Sequence, residues 1–371
     1  MKILILCDHY PISPRVKKIR NSLIKLYPTS IVKIYAWNRS HRSIVEEYVS
    51  SFDQDIGYGN KLNKLLNLYK FFKSAKKVVN EFKPQYIHAI DIEMLIVSML
   101  MYSRCKLIYE VYDIKFLKNR FLNYIREKIE FFIIKKYAYA VILASPYFNI
   151  YYKRNEFQGV KIITINNKPS KLLHTQTKNN YMNKYKDLII NKIVIGFIGT
   201  IRYQNILINL IDACKDLDNV IVLLSGSGPS FKHIEAYVKS NSLESKVIMT
   251  GRFNSEDLNC IYEFCDYIWA AYPNKDLNVR YAISNKFFES IVFRKKIIVS
   301  ESTMIGEYVS KNNIGLTVDP YNVEKIKLIL KQLGKYNYER VKHYIGEGLY
   351  WEEEEKELFN IYNDIEKKYT R

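Results

Sequence analysis

No stretch of this 371-residue chain is apolar for long enough to form a membrane-crossing helix. Its longest near-apolar run, Met94 to Tyr102, is about half of the roughly 20 residues such a helix needs. The N-terminus, MKILILCDHYPISPR, has a short apolar stretch but no small-residue cleavage site, so no signal peptide is expected. Cysteine is scarce. Cys7, Cys105, Cys214, Cys260 and Cys265 form an odd, scattered set without CxxC spacing. That suits free thiols in a reducing cytoplasm better than a disulfide framework or a zinc site. No short-period repeat is present, which excludes a solenoid. RNP, KH, zinc-finger and helix-turn-helix signatures are also missing, so nucleic acid is not the expected partner. What remains, 48% hydrophobic and 26% charged residues, is ordinary for a soluble globular protein and excludes general disorder.

Acidic residues are in short supply: 38 Asp and Glu face 57 Lys and Arg, a formal net charge of +19. The shortage is local. Residues 1–170 hold 29 Lys/Arg against 13 Asp/Glu, a net of +16, while the remainder holds 28 against 25, a net of +3. A half-molecule this basic suggests a polyanionic surface as partner. The abundance of Lys, Ile, Asn and Tyr also fits an AT-rich genome, which would carry no functional meaning.

The chain reads as alternating strands and helices. Lys2–Cys7 is an apolar strand, Asp8–Ser13 a loop, and Pro14 a first-turn helical proline capped by Ser13. Strands follow at 31–37, 86–89, 106–112 and 140–144, with helices at 95–102 and 116–137. A polar, Lys/Asn-rich stretch then breaks the pattern, which restarts with strands at 193–197, 220–224, 247–250, 267–271, 297–299 and 315–318. This alternation implies two tandem, parallel, doubly wound α/β domains. The expected boundaries are 1–170 for the first, 171–190 for a connection, 191–345 for the second and 346–371 for a terminal helix. That helix starts with Glu352–Glu355 and puts Leu358, Ile361, Tyr362 and Ile365 on one face. Its acidic start suits packing back on the basic first domain.

In such domains ligands bind beyond the carboxyl ends of the strands. The first such loop of the second half is Gly199-Thr200-Ile201-Arg202-Tyr203, where Gly199 permits close backbone approach and Arg202 offers a bidentate phosphate clamp. The next is Ser225-Gly226-Ser227-Gly228-Pro229. A third, Ser284-Asn285-Lys286-Phe287-Phe288-Glu289, reads as a helix start with Asn285 and Lys286 in its first turn and Glu289 at i,i+4 from Asn285. A carboxylate beside a phosphate site suits ribose hydroxyls. The bland alternatives are plain turns and a solvated Lys/Glu pair.

These segments, with Gly251-Arg252-Phe253 and Ile305-Gly306-Glu307-Tyr308-Val309, have the order and spacing seen in GT-B-fold glycosyltransferases of family 4. In the first half, Ser13-Pro14-Arg15-Val16, Ala36-Trp37-Asn38-Arg39, Ile87-His88-Ala89-Ile90-Asp91 and Tyr109-Glu110-Val111-Tyr112-Asp113 resemble members that build bacterial surface polysaccharides. The resemblance implies two Rossmann-like domains facing a cleft, with the donor on the second and the acceptor on the first. It implies that Gly199, Arg202, Ser225, Gly226, Gly228, Asn285 and Lys286 hold the nucleotide-sugar and its diphosphate, and Glu289 the ribose. Asp91 and Asp113 are then the candidate catalytic carboxylates, and Tyr10, Arg15 and His88 the acceptor or cleft residues. For Asp91 a helix N-cap is the competing reading, and for Arg15 an ordinary surface position. The sugar would move with retention to a glycan or a lipid-diphosphate-linked glycan, and neither metal nor cofactor is expected. Relatives commonly carry a glutamate eight positions before Glu289; Tyr281 stands there.

Asp53-Gln54-Asp55 spells DxD but lies far from the donor half, so no metal role is read into it. The basic segments are Lys61–Lys77 and Lys115–Lys136; the first interleaves lysine with apolar residues, as a core-facing helix or one resting on anionic lipid would. A cytoplasmic protein, peripheral on the inner membrane face, is expected. The competing classes are a sugar-nucleotide epimerase of the same fold, a basic nucleic-acid-binding protein and a non-catalytic partner subunit.

Overall fold

A computed structural model describes residues 1–39, 41–54, 61–101, 105–152, 157–172, 180–333 and 348–369. The chain divides into two compact units, Met1–Asn166 with Glu354–Arg371, and Asn167–Glu353. Each is built on one sheet whose described strands pair in parallel throughout.

The first unit contains strands β1 Lys2–Cys7, β2 Ile31–Asn38, β3 Val49–Asp53, β4 Tyr86–Ile90, β5 Lys106–Val111, β6 Ala138–Leu143 and β7 Lys161–Thr164. They lie in the order β3-β2-β1-β4-β5-β6-β7. The central β1 pairs with β2 from Lys2↔Ile31 to Cys7↔Ala36 and with β4 from Ile3↔Tyr86 to Leu6↔Ala89. Ile3 to Leu6 are all buried, which is why β1 is an unbroken apolar run rather than an alternating one. The edge strands β3 (VSSFD) and β7 (KIIT) have no counterpart among the expected elements. Strand β3 is short and partly exposed, and β7 is four residues long with only Ile162 and Ile163 buried, so neither carries a strong apolar signal.

Helices α1 Pro14–Leu26, α2 Lys61–Phe82, α3 Asp91–Leu100 and α4 Arg120–Tyr137 connect these strands. The Ser13 hydroxyl accepts from the Val16 N–H to cap α1, with Pro14 in its first turn as expected. Helix α4 starts later than the pattern implied because Asn119 caps it, accepting from the Leu122 N–H.

The second sheet runs β10-β9-β8-β11-β12-β13, from β8 Ile193–Ile198, β9 Val220–Ser225, β10 Val247–Gly251, β11 Tyr267–Ala270, β12 Lys296–Ser300 and β13 Gly315–Val318. Its helices are α5 Gln204–Cys214, α6 Phe231–Ser240, α7 Leu258–Glu263, α8 Leu277–Tyr281, α9 Asn285–Val292, α10 Met304–Asn312 and α11 Val323–Leu330. Apolar clusters cover both faces, one around Leu210, Val222 and Trp269, the other around Leu223, Ile261 and Ile268. The polar stretch read as a connection joins this second cluster. Met182 is buried there, and Tyr181, Tyr185 and Ile189 pack against it.

The last helix is α12 Trp351–Tyr369, and from Glu354 on it belongs to the first unit. Leu358, Ile361, Tyr362 and Ile365 are buried, and the Glu355 carboxylate accepts from Ser22 Oγ at 2.6 Å and Lys25 Nζ at 2.5 Å. Each sheet reverses its strand order beside its first strand, between β1 and β4 and between β8 and β11. Those reversals are where a doubly wound fold opens a ligand crevice.

Candidate active site

In the second unit the exits of β8, β9 and β10 are knitted together through backbone. The Gly199 N–H donates to the Ser225 carbonyl at 2.8 Å, the Ile201 N–H to Ser227 at 3.2 Å, and the Gly226 N–H to Gly251 at 2.8 Å. The Ser230 hydroxyl donates to the Arg202 carbonyl at 3.0 Å. Gly199 and Gly226 both sit at φ +137°, a region that L side chains rarely adopt. A Cβ on Gly226 would lie 1.9 Å from the Gly199 carbonyl oxygen, and one on Gly228 2.3 Å from that of Ile201. These glycines let two loops close on each other; they are more than turn residues. Ser225 differs from expectation, since its buried hydroxyl is bonded to Thr250 Oγ1 at 2.8 Å beneath the loop.

Two cations stand on this platform. The Ser284 hydroxyl caps α9, accepting from the Lys286 N–H, and so fixes Asn285 and Lys286 in the first turn. The Lys286 ammonium lies beside Gly199, 2.8 Å from where a Cβ would be, and 5.4 Å from the Phe197 ring centre. Arg202 is exposed, its guanidinium 4.7 Å from the Tyr203 ring centre. Tyr203 and Phe197 both meet Tyr272 edge-on, at 5.7 Å and 6.3 Å, so one aromatic floor carries both cations. Positive charge beside a helix N-terminus, over a glycine-lined backbone, favours a phosphate-bearing ligand.

Glu289 follows one turn along α9, half-buried, and its Oε2 accepts from the Tyr262 hydroxyl at 2.6 Å. Burial pushes the Tyr262 phenol well up, so it stays a donor. Its ring stacks on Phe293 at 4.4 Å. This anchor holds the carboxylate in one orientation. Tyr281, at the position of the absent acid, ends α8.

In the first unit the expected residues divide. His88 and Arg15 do not line an open surface. His88 is wholly buried and Arg15 is 2% exposed. Arg15 Nε donates to Glu110 Oε1 at 2.6 Å, and His88 Nε2 bonds Glu110 Oε2 at 2.6 Å. Burial alone would raise the Glu110 carboxyl, but Arg15 and His88 hold it below its ordinary range. A carboxylate only accepts, so Nε2 carries the proton, and Nδ1 faces the Tyr362 hydroxyl of α12 at 3.1 Å. The surface reading of Arg15 and the open-cleft reading of His88 are therefore corrected: both belong to an internal network of β4, β5, α1 and α12. Tyr10 is likewise buried, its hydroxyl bonded to Glu46 Oε2 at 3.0 Å and the Ser43 carbonyl at 3.3 Å.

Asp91 lies at the β4 exit with φ +60° and is 7% exposed. It does not cap its own helix. Its Oδ1 accepts from the Tyr112 N–H at 2.9 Å and the Asp113 N–H at 3.4 Å, tying β4 to the β5 exit. Burial pushes its carboxyl up to about 7, against the pull of Lys115. Lys115 bridges Glu93 at 2.6 Å, Asp91 at 3.6 Å and Asp8 at 3.7 Å, and the three carboxylates raise its ammonium despite burial. Burial alone would raise Asp8, but His9, Lys115 and Arg39 hold it well below the usual carboxylate range. Asp8, Glu93 and Lys115 escaped the sequence reading; Asp8 had a signal, directly following β1. Asp113 is exposed. Asp53 ends β3, with Oδ1 accepting from Ser51 Oγ, while Asp55 lies outside the described residues.

Comparison with solved structures places the architecture. Sucrose-phosphate synthase from Thermosynechococcus elongatus superposes with a TM-score of 0.73 at 15% identity, covering 98% of this chain and 99% of that one. HepE of Anabaena, in complex with UDP and glucose, gives 0.71 at 15%, with 98% and 99% covered. UDP-GlcNAc 2-epimerase from Methanocaldococcus jannaschii gives 0.62 at 12%, with 97% and 100% covered. These likenesses show a fold of the GT-B type. Residues 183–347, which carry the glycine loops, both cations and Glu289, match the family model for glycosyl transferases group 1. No curated protein matches the chain by sequence.

Proposed function

We propose that the protein transfers a hexose, with retention of configuration, from a nucleotide-sugar held by the second unit to a glycan or lipid-diphosphate-linked glycan engaged by the first. The carrying observation is Lys286 beside Gly199, with Arg202, on the interlocked loops at the β8 exit. There the two cations neutralise the donor diphosphate and stabilise charge on the departing nucleoside diphosphate. Glu289, oriented by Tyr262, accepts from ribose hydroxyls. The nucleotide-sugar is a substrate, and the reaction needs neither metal nor cofactor. Asp91 and Asp113, at the β4 and β5 exits, handle the acceptor hydroxyl. Capsule, exopolysaccharide or O-antigen assembly is the pathway class this fits, at the cytoplasmic membrane face.

UDP is the first donor nucleotide to try, because HepE binds UDP and UDP-glucose. A thermal-shift panel of UDP, GDP, ADP and dTDP tests the reading. A ligand at a hundredfold over its Kd stabilises by roughly 2.7 kcal/mol. A flat response to all four would overturn it. The epimerase likeness supports a second reading on the same donor site. Incubation with nucleotide-sugar alone separates the two, since an epimer formed without acceptor belongs to that second reading.

A further inference from the structure

We infer that the outer face of α4 is the surface by which the first unit docks on an anionic lipid bilayer. The inference rests on the reading that the protein works at a membrane, and is independent of the transfer chemistry. It moves the contact away from Lys61–Lys77, where the sequence had suggested it.

A helix covering a sheet normally turns its apolar stripe inward. Helix α4 buries Ile133, Ile134 and a polar cluster around Glu130, whose carboxylate takes Arg126 Nη1 at 2.5 Å and both the Tyr109 and Tyr152 hydroxyls at 2.6 Å. Its large apolar side chains stand outward instead. Phe121 is 70% exposed and Phe132 54%, with Leu122, Ile125 and Ile129 also exposed. At 100° per residue Phe121, Ile125, Ile129 and Phe132 fall on one stripe.

Lysines flank that stripe. Lys128 lies 5.2 Å from the exposed Tyr124 ring and Lys136 5.4 Å from Phe132, and Lys135, 5.9 Å from the Phe157 ring, is exposed as well. Glu130 is buried, and Glu127 is held by Asn123 and Arg126, so the helix turns its acids away from the lysines. Apolar and aromatic residues edged by lysine suit the headgroup–acyl boundary of an anionic membrane.

Helix α2 differs. Phe71, Ala75 and Val79 face the core, and of its described side chains only Leu66 and Tyr69 are exposed large apolar ones. Its outward lysines supply attraction without insertion.

The test is binding to vesicles of phosphatidylcholine with and without phosphatidylglycerol, read by co-sedimentation and tryptophan emission. The native Trp37, Trp269 and Trp351 are all buried, so a tryptophan introduced on α4 reports that face alone. Phe121→Trp should shift to the blue only with anionic vesicles, and Tyr69→Trp should not. Phe121→Ser with Phe132→Ser should weaken binding at least tenfold, and Lys128→Gln with Lys135→Gln by about fivefold per lysine. Unchanged melting and nucleotide binding would show these variants fold. Binding that shifts Tyr69→Trp but not Phe121→Trp overturns the α4 surface and leaves the membrane reading standing. No binding to either vesicle overturns both. Self-association through α4 without vesicle binding would assign the face to a second copy of the chain, and also overturns the inference.

Discussion

Replacing Gly226 by alanine should damage nucleotide binding and stability together, for a reason that can be worked from the coordinates. Gly226 sits at φ +137°, so a side chain there brings backbone strain of roughly 1–3 kcal/mol. The added Cβ would also lie 1.9 Å from the Gly199 carbonyl oxygen, inside the 3.0 Å that real Cβ contacts keep. The obstacle is backbone on both sides, so neither loop can yield by rotating a side chain. Overpacking of this kind adds roughly 1–3 kcal/mol. The sum, roughly 2–6 kcal/mol, lowers Tm by roughly 4–24 °C at the 2–4 °C per kcal/mol of a domain this size. Displacing Gly199 also displaces the backbone beside the Lys286 ammonium, so nucleotide affinity should fall at least tenfold. Gly159→Ala in the first unit is the control, because Gly159 has φ +82° with nothing within 4 Å of its Cβ position. It carries strain alone. Calorimetric melting and nucleotide titration of both variants decide the matter. A Gly226→Ala protein that melts no lower than Gly159→Ala and binds nucleotide normally would refute the interlocked-loop reasoning.

Arg202→Ala should cost about 1.5–3 kcal/mol of donor binding or transition-state stabilisation, and intact kinetics would remove Arg202 from the diphosphate site. Glu289→Gln should weaken nucleotide binding moderately while leaving the pH–rate profile unchanged in shape; loss of an ionisation from that profile would make Glu289 an acid or base. Tyr262→Phe should cost about 1 kcal/mol of stability and weaken nucleotide binding less than Glu289→Gln; an equal or larger effect would place the phenol itself on the ligand. Asp91 titrates near 7 in the fold and near 3.9 unfolded, so its contribution to stability is complete below about pH 4. That contribution is lost as pH rises through 7, by up to about 1.4 kcal/mol per pH unit. Asp91→Asn should remove this fall, and a stability difference from wild type that ignores pH between 4 and 7 would show that Asp91 is ionised throughout.

The two parallel sheets were legible because strands such as Ile3–Leu6 and Val220–Leu224 are buried on both faces and stand out as apolar runs. The edge strands Val49–Asp53 and Lys161–Thr164 were not, since the first is partly exposed and the second holds only two buried apolar residues. In the second unit the glycines and Lys286 could be read because backbone approach and helix starts are local properties. Tyr262 under Glu289 could not, as its contact joins residues 27 apart. The first unit misled for the same reason. Arg15 and His88 look like site residues until Glu110 is seen between them, and only the fold brings that carboxylate within 2.6 Å of both. The outward apolar stripe of Phe121 to Phe132 was hidden because sequence periodicity shows that a helix has an apolar face, not whether that face is covered.

The central claim, that the second unit holds a nucleoside diphosphate through Lys286, is tested most directly by titrating UDP, GDP, ADP and dTDP calorimetrically into wild-type protein and Lys286→Ala. One of the four should bind the wild type, and at least tenfold more weakly the variant, whose melting should be otherwise unchanged. Absence of binding by all four, or equal affinity in the two proteins, would contradict it.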